Sequence, residues 1–205
     1  MIAVLDYGIG NLRSAEKALQ HLGADAALVD DPDRAAAADG VVLPGVGAFG
    51  RCAEALRSSG LEGAARAAVD RGVPFLGICV GFQLLYEGSD EDPAQPGLGV
   101  LPGVVRRLAD GVKHPQMQWN VLEETAGRAP GLLAGTPRPT WVYFVHSFAP
   151  EVTADTSSTC DYGGPVTASA ERGPVWGTQF HPEKSGTVGL EILANFVRAV
   201  DASAA

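Results

Sequence analysis

Cysteine is scarce in this sequence, and so is positive charge. Only three cysteines occur in 205 residues, Cys52, Cys79 and Cys160, and no two of them form a C-x-x-C pair. An odd, scattered set disfavours both a disulfide framework and a structural zinc site. Lys and Arg number 15 against 24 Asp and Glu, a formal net charge of -9, and no basic block interrupts that balance. Such a chain is unsuited to nucleic acid or to an anionic membrane, which leaves small molecules or another protein as the expected partners. Apolar runs are short, none approaching the roughly 20 residues of a membrane-spanning helix. Met1-Ile2-Ala3-Val4-Leu5 followed by Asp6 lacks the length and flanks of a secretory signal. The expected setting is the cytoplasm, with the thiols reduced. A chain of 205 residues can bury a substantial core and is expected to form one domain, 1–205.

What is present is an alternation of strand and helix signals. Ile2 to Leu5 reads as a buried strand, and Asn11 to Leu22 as a helix capped by Asn11, with Leu12, Ala15, Ala18, Leu19 and Leu22 on one stripe. Ala27 to Val29 and Gly40 to Leu43 read as strands, Glu54 to Val69 as an Ala-rich helix, and Val73 to Ile78 as a further strand. This βαβ order predicts an α/β fold, a central mostly parallel sheet flanked by helices, with ligands gathering beyond the C-terminal strand ends. From about Pro93 to Pro139 the apolar pieces shorten between Gly and Pro, which predicts an added small antiparallel β region. Three β-rich runs follow, Trp141 to Val145, Val166 to Ala170 and Val175 to Phe180, then a closing helix from Val188 to about Val200 and a frayed tail, Asp201 to Ala205.

Within this frame the most informative stretch is Gly77-Ile78-Cys79-Val80-Gly81. A cysteine between two glycines, where an apolar strand turns into a helix, has the form of a nucleophile elbow with sulfur in place of oxygen. The glycines answer the crowding of a sharp turn, and the start of a helix favours the thiolate. The plainer alternative is a buried cysteine packing as a small hydrophobe. A nucleophilic cysteine needs a base and a group that orients the base. Of four histidines, His21 lies near the end of the first helix, and His114 and His146 have no carboxylate close in sequence. His181 follows a strand and precedes Pro182 and Glu183; in an extended segment residues two apart point the same way, so the carboxylate can orient the imidazole.

Two glycine-rich segments remain. Pro44-Gly45-Val46-Gly47-Ala48-Phe49-Gly50 lacks the Lys-Ser/Thr ending of a phosphate loop and is better suited to bring backbone N–H groups to an oxyanion, although a plain βα turn is equally consistent with it. Gly8-Ile9-Gly10 has Arg13 where a dinucleotide fingerprint requires a third glycine, and NAD binding is rejected.

Gly77-Ile78-Cys79-Val80-Gly81-Phe82-Gln83-Leu84-Leu85 together with Phe180-His181-Pro182-Glu183 resembles the class I (triad) glutamine amidotransferases. Within that family, Asp6 to Ser14, Pro44 to Gly50, Gln118-Trp119-Asn120, Tyr143 to Ser147 and Lys184-Ser185-Gly186 are similar to the glutaminase subunits of imidazole glycerol phosphate synthases. The resemblance extends from Asp6 to Gly186. It implies Cys79 as nucleophile, His181 as acid and base, Glu183 as its orienter, and the N–H groups of Val80 and Val46 as oxyanion donors. It implies that L-glutamine meets Gly45, Gln83, Ser147 and Phe148, the last two chiefly through backbone. It also implies a (β/α)8 cyclase subunit as partner, faced by Asn11, Arg13, Gln118, Trp119, Asn120 and Lys184, and neither a metal nor an organic cofactor.

Gln116 and Gln118 stand where the family usually has His and Gly, and Phe148-Ala149 where a tyrosine pair is common. Two other readings stay open: a small class I glutaminase of another pathway, such as vitamin B6 synthesis, and a non-catalytic binding or stress protein on the same fold.

Overall fold

The computed structural model describes residues 1–127 and 131–204. Its first half runs β1 (Ile2–Leu5), α1 (Leu12–His21), β2 (Ala26–Val29), α2 (Pro32–Ala36), β3 (Gly40–Gly45), α3 (Phe49–Ser58), α4 (Leu61–Asp70), β4 (Phe75–Cys79) and α5 (Val80–Gln83). Strands β1, β3 and β4 are buried at every position, as uninterrupted apolar runs in a parallel sheet must be. The expected helix from Glu54 to Val69 is two helices. Ser59 closes the first by donating its hydroxyl to Leu56 O at 3.0 Å, and Gly60, at φ +78°, turns the chain into the second; only glycine enters that region at no steric cost.

The second half continues with β5 (Gly88–Ser89), β6 (Val104–Arg107), β7 (Gln116–Val121), β8 (Glu123–Glu124), β9 (Trp141–His146), β10 (Phe148–Pro150), β11 (Thr156–Asp161), β12 (Pro165–Arg172), β13 (Val175–Thr178) and α6 (Gly186–Ser203). Asp201 to Ser203 extend α6 and are not frayed. The main sheet has eight strands in the order β2-β1-β3-β4-β13-β12-β11-β8, parallel from β2 to β13 and antiparallel beyond. The antiparallel region is therefore partly an extension of the main sheet; β10-β6-β5 and β7-β9 form two small sheets beside it. Helix α1 packs with α6, and α4 with α2 and α3.

One pairing decides where the chemistry lies. Strand β13, from the far end of the chain, lies parallel to β4 with Thr178 opposite Ile78. The next residue of each strand is Gln179 and Cys79, so the segment carrying His181 leaves the sheet beside the elbow, at a C-terminal strand edge.

Candidate active site

Cys79 is the only described non-glycine residue with positive φ, at φ 55° and ψ −112°. The flanking glycines have ordinary φ and serve a different need. A Cβ on Gly81 would lie 1.8 Å from the carbonyl oxygen of Leu43, and one on Gly77 would lie 2.7 Å from Cα of Phe82. The strain thus sits on the cysteine and the glycines make room for it, the crowding that the sequence suggested. Helix α5 is a single turn, so the dipole expected at the thiol is small, since that field sums over aligned peptides. The thiol borders a cleft of about 270 Å³ that Val46, Val80, Gln83, Ser147, Phe148 and His181 also line. Gly45 is not among the lining residues; it pairs with Cys79 in the sheet and touches Gly81.

His181 Nδ1 lies 2.8 Å from Glu183 Oε1, with both side chains 2% exposed. A 3-10 turn at Pro182–Lys184 brings them together, not the strand alternation that the spacing suggested. Three bonds fix the turn: His181 N–H donates to Tyr143 O at 3.0 Å, Ser185 Oγ donates to His181 O at 2.7 Å, and Tyr143 N–H donates to Ser185 Oγ at 3.0 Å. Burial by itself pushes the imidazole pKa down, but Cys79 and Glu183, as hydrogen-bonding partners and as charges, raise it from 6.5 to about 10. His181 Nε2 makes no full hydrogen bond, yet the thiol is near enough to act on its protonation. Asn11 does not cap α1 with its side chain; its Nδ2 reaches Glu183 Oε1 at 3.4 Å, and its Oδ1 accepts from Ser14 Oγ at 2.8 Å.

His146 behaves oppositely. Burial lowers its pKa from 6.5 to about 4, with a bond to Phe148 O raising it and His181 lowering it. The signs divide the pH scale. A raised histidine stabilises the fold fully below 6.5 and loses that contribution as pH climbs toward its folded pKa; a depressed one stabilises above 6.5 and loses its contribution as pH falls toward 4. Stability is therefore expected to peak near pH 6.5, with an acid limb worth about 3 kcal/mol from His146. His146→Gln should flatten that limb in urea titrations between pH 6.5 and 4, and an unchanged limb would assign it to other groups.

The end of β3 and the loop after it are pinned by two buried side chains. Tyr7 donates its hydroxyl to Pro44 O at 2.6 Å, and Cys52 Sγ, on α3, donates to Val46 O at 3.3 Å. Burial, then the neighbouring Cys52 and Cys79, hold the Tyr7 pKa well above its usual value, so the phenol stays a donor. Tyr7→Phe is expected to cost about 1 kcal/mol and to speed amide exchange at Val46 to Ala48; unaltered exchange there would mean that the loop holds itself.

This geometry agrees with the kinship of the chain. The family model described as glutamine amidotransferase class I matches residues 3–200. The chain belongs to this family. Among curated relatives, the imidazole glycerol phosphate synthase subunit HisH of Symbiobacterium thermophilum is 47% identical over 201 residues, covering 97% of this chain and 94% of its own. That of Moorella thermoacetica is 47% identical, covering 95% and 93%, and one from Bacillus cereus is 43% identical, covering 98% and 96%. Among solved structures, a glutamine amidotransferase superposes with a TM-score of 0.77 at 23% identity, covering 98% of each chain. PurLQS from Thermotoga maritima superposes with a TM-score of 0.72 at 21% identity, covering 100% and 98%; at these identities the likeness is of fold.

Two residues that sequence reasoning did not single out lie in or behind the amidotransferase cleft. Glu91 lines it while Oε2 accepts from Phe49 N–H at 2.8 Å, holding the start of α3. Gln179 is fully buried, with Nε2 3.8 Å from Cys79 Sγ. Neither carries a local signal, since each meets the site through a distant segment. The Ser147 carbonyl is taken by Leu108 N–H at 3.0 Å, and that of Phe148 by Gln83 Nε2 and His146 Nδ1, each at 2.9 Å. The residues expected at a partner surface divide. Arg13, Gln118, Trp119 and Lys184 are exposed, whereas Asn11 and Asn120 are half-buried. Gln116 is fully buried and donates to Cys160 Sγ at 3.7 Å, so it offers no surface contact.

Proposed function

We propose that the chain is the glutaminase subunit of an imidazole glycerol phosphate synthase and hydrolyses L-glutamine to L-glutamate and ammonia. The observation that carries this reading is the convergence of Cys79, His181 and Glu183 on one cleft in a chain 47% identical over nearly its whole length to a HisH subunit. His181 Nε2 takes the thiol proton while its Nδ1–H stays on Glu183, and Cys79 Sγ bonds to the carboxamide carbon of glutamine. The oxygen of the tetrahedral adduct is held by the N–H groups of Val80 and Val46. Collapse breaks the C–N bond, and His181 hands its proton to the departing nitrogen, which leaves as ammonia. Water, deprotonated by His181, attacks the γ-glutamyl thioester; the C–S bond breaks, glutamate leaves, and the thiol regains a proton.

Substrate orientation follows from the groups around the cleft. Glu91 brings a carboxylate to it and suits the α-ammonium of glutamine. Gln83 has both Nε2 hydrogens engaged and offers Oε1 as acceptor; Ser147 and Phe148 offer N–H groups, and Gly45 lets the elbow approach β3. The roles draw on both ends of the chain, so 1–205 acts as a single amidotransferase domain. Three buried free thiols suit a reducing cytoplasm, and no helix among the described residues is long and apolar enough to cross a membrane.

Ammonia passes in this reading to a (β/α)8 cyclase subunit, with which the chain forms a heterodimer serving histidine biosynthesis. The docking face is built by β7 and β9, where Trp119 pairs with Tyr143 and Val121 with Trp141. Met117, at 61% exposure, and Trp119 and Trp141, at 47% each, are the large apolar residues it leaves to solvent, and Lys184 lies on the adjoining turn. Trp119→Ala is expected to weaken association with the cyclase at least tenfold by titration calorimetry, the scale of a buried aromatic anchor; unaltered affinity would move the interface elsewhere. The test of the function is glutamate release with and without the cyclase and its ligand: slow turnover alone, strongly raised by the partner, is expected. Full activity that no cyclase alters would refute the assignment.

A further inference from the structure

We propose that Gln179 is a further catalytic residue, its side-chain amide donating a hydrogen bond to the Cys79 sulfur and held in that orientation by Gln83. A carboxamide can be turned either way about its last bond, and which atom faces the sulfur follows here from one backbone group. Phe148 O is a carbonyl and can only accept. It lies 2.9 Å from the Gln83 side-chain nitrogen, which must therefore be the NH2 group. That same nitrogen lies 3.0 Å from the Gln179 side chain, so the Gln179 atom it meets is the oxygen. The remaining end of Gln179 is then an NH2, 3.8 Å from Cys79 Sγ, and the sulfur receives an N–H. His146 Nδ1, 2.9 Å from Phe148 O, donates to the same carbonyl and reinforces it.

The placement is rigid. Gln179 is 0% exposed and Gln83 is 3% exposed; the Gln179 backbone N–H donates to Ala168 O at 2.8 Å, and its residue follows the pair Thr178 and Ile78. The backbone neighbour of the thiol, Val145 O, lies 4.0 Å away and stabilises only the protonated form. A donor fixed on sulfur acts at both ends of the reaction, favouring the thiolate that attacks and stabilising it again as it is expelled from the thioester.

The inference rests on reading Cys79 as the nucleophile, so the test reads the thiol directly. Iodoacetamide labelling of Cys79 is followed against pH in the full chain bound to its cyclase partner, with Cys79→Ala as the blank for Cys52 and Cys160. Gln179→Leu is expected to slow labelling near neutral pH about tenfold, to move the labelling profile to higher pH by about one unit, and to lower kcat about tenfold with KM changed less than about twofold. The titratable and charged groups facing the thiol are Tyr7 after β1, Cys52 on α3, Glu91 on the cleft wall, His146 at the end of β9, and His181 and Glu183 after β13; all stay in place, so the difference reports Gln179. A folded Gln179→Leu with the native profile and native kcat overturns the proposal. If that variant does not fold, Gln83→Met carries the test: it releases the orientation of Gln179, and a shift in the same direction supports the relay while a native profile overturns it. Failure of the underlying reading is separate and visible in the blank, as glutaminase activity surviving in Cys79→Ala.

Discussion

Cys79→Ala is expected to lower glutamate release by at least about 10⁴-fold while leaving glutamine binding and the fold in place. In the proposed mechanism the sulfur is the atom that forms the thioester, and nothing else in the cleft can replace it. Alanine keeps the Cβ and hence the same steric conflict at φ 55°, so its stability stays near that of the parent. Glycine separates the two roles of this position. Strain in a sparsely populated backbone region costs about 1–3 kcal/mol, and glycine removes it, while losing about 0.5–1 kcal/mol through its greater freedom when unfolded. Cys79→Gly is therefore expected to be as inactive as Cys79→Ala and about 1 kcal/mol more stable in urea denaturation. A glycine variant less stable than the alanine one would mean that the elbow stores no strain at the nucleophile. Retained turnover in either would remove Cys79 from the chemistry.

The elbow and the His-Pro-Glu turn were legible because their constraints are local: an apolar strand, two crowded glycines, a proline beside a histidine. The order of β1 to β4 was legible for the same reason, each strand being a short apolar run. Legibility failed where burial is satisfied by polar pairing. Strand β11 reads Thr-Ser-Ser-Thr-Cys-Asp, yet Ser158 and Ser169 are fully buried with their hydroxyls 2.6 Å apart, a pairing that hydrophobic periodicity does not register. Helix α2 has too few residues to show an apolar period, although Asp31, whose carboxylate accepts from Arg34 N–H at 3.0 Å, and Pro32 mark its start. The failures within the site have a topological cause. Gln179 lies 100 residues from Cys79 and Glu91 42 residues from Phe49, contacts created by strand pairing and loop closure. The adjacency of His181 and Glu183 was expected for a partly wrong geometric reason, since it comes from a turn.

That adjacency supports the second large effect. Glu183→Gln keeps the size of the side chain and removes the charge that, together with Cys79, raises the His181 pKa. A carboxylate only accepts, so it holds the imidazole proton on Nδ1 and leaves Nε2 free to take the proton of the thiol; a carboxamide can present its NH2 to Nδ1 and force the other tautomer. In that tautomer Nε2 already carries a hydrogen and cannot act as base. The bond is buried, both side chains being 2% exposed, so water cannot stand in for the lost charge. Turnover is expected to fall about 10³- to 10⁴-fold, as when the orienting acid of a serine triad is made neutral. Glu183→Asp, which keeps the charge on a shorter arm, should lose less, and the order Glu, Asp, Gln is the diagnostic one. Asn11 adds a second check, because its amide meets the same carboxylate oxygen from the position just before α1 at 3.4 Å. Asn11→Ala should therefore lower turnover several-fold through His181, and equal losses in Glu183→Asp and Glu183→Gln would show that length, and not charge, is what the triad requires of residue 183.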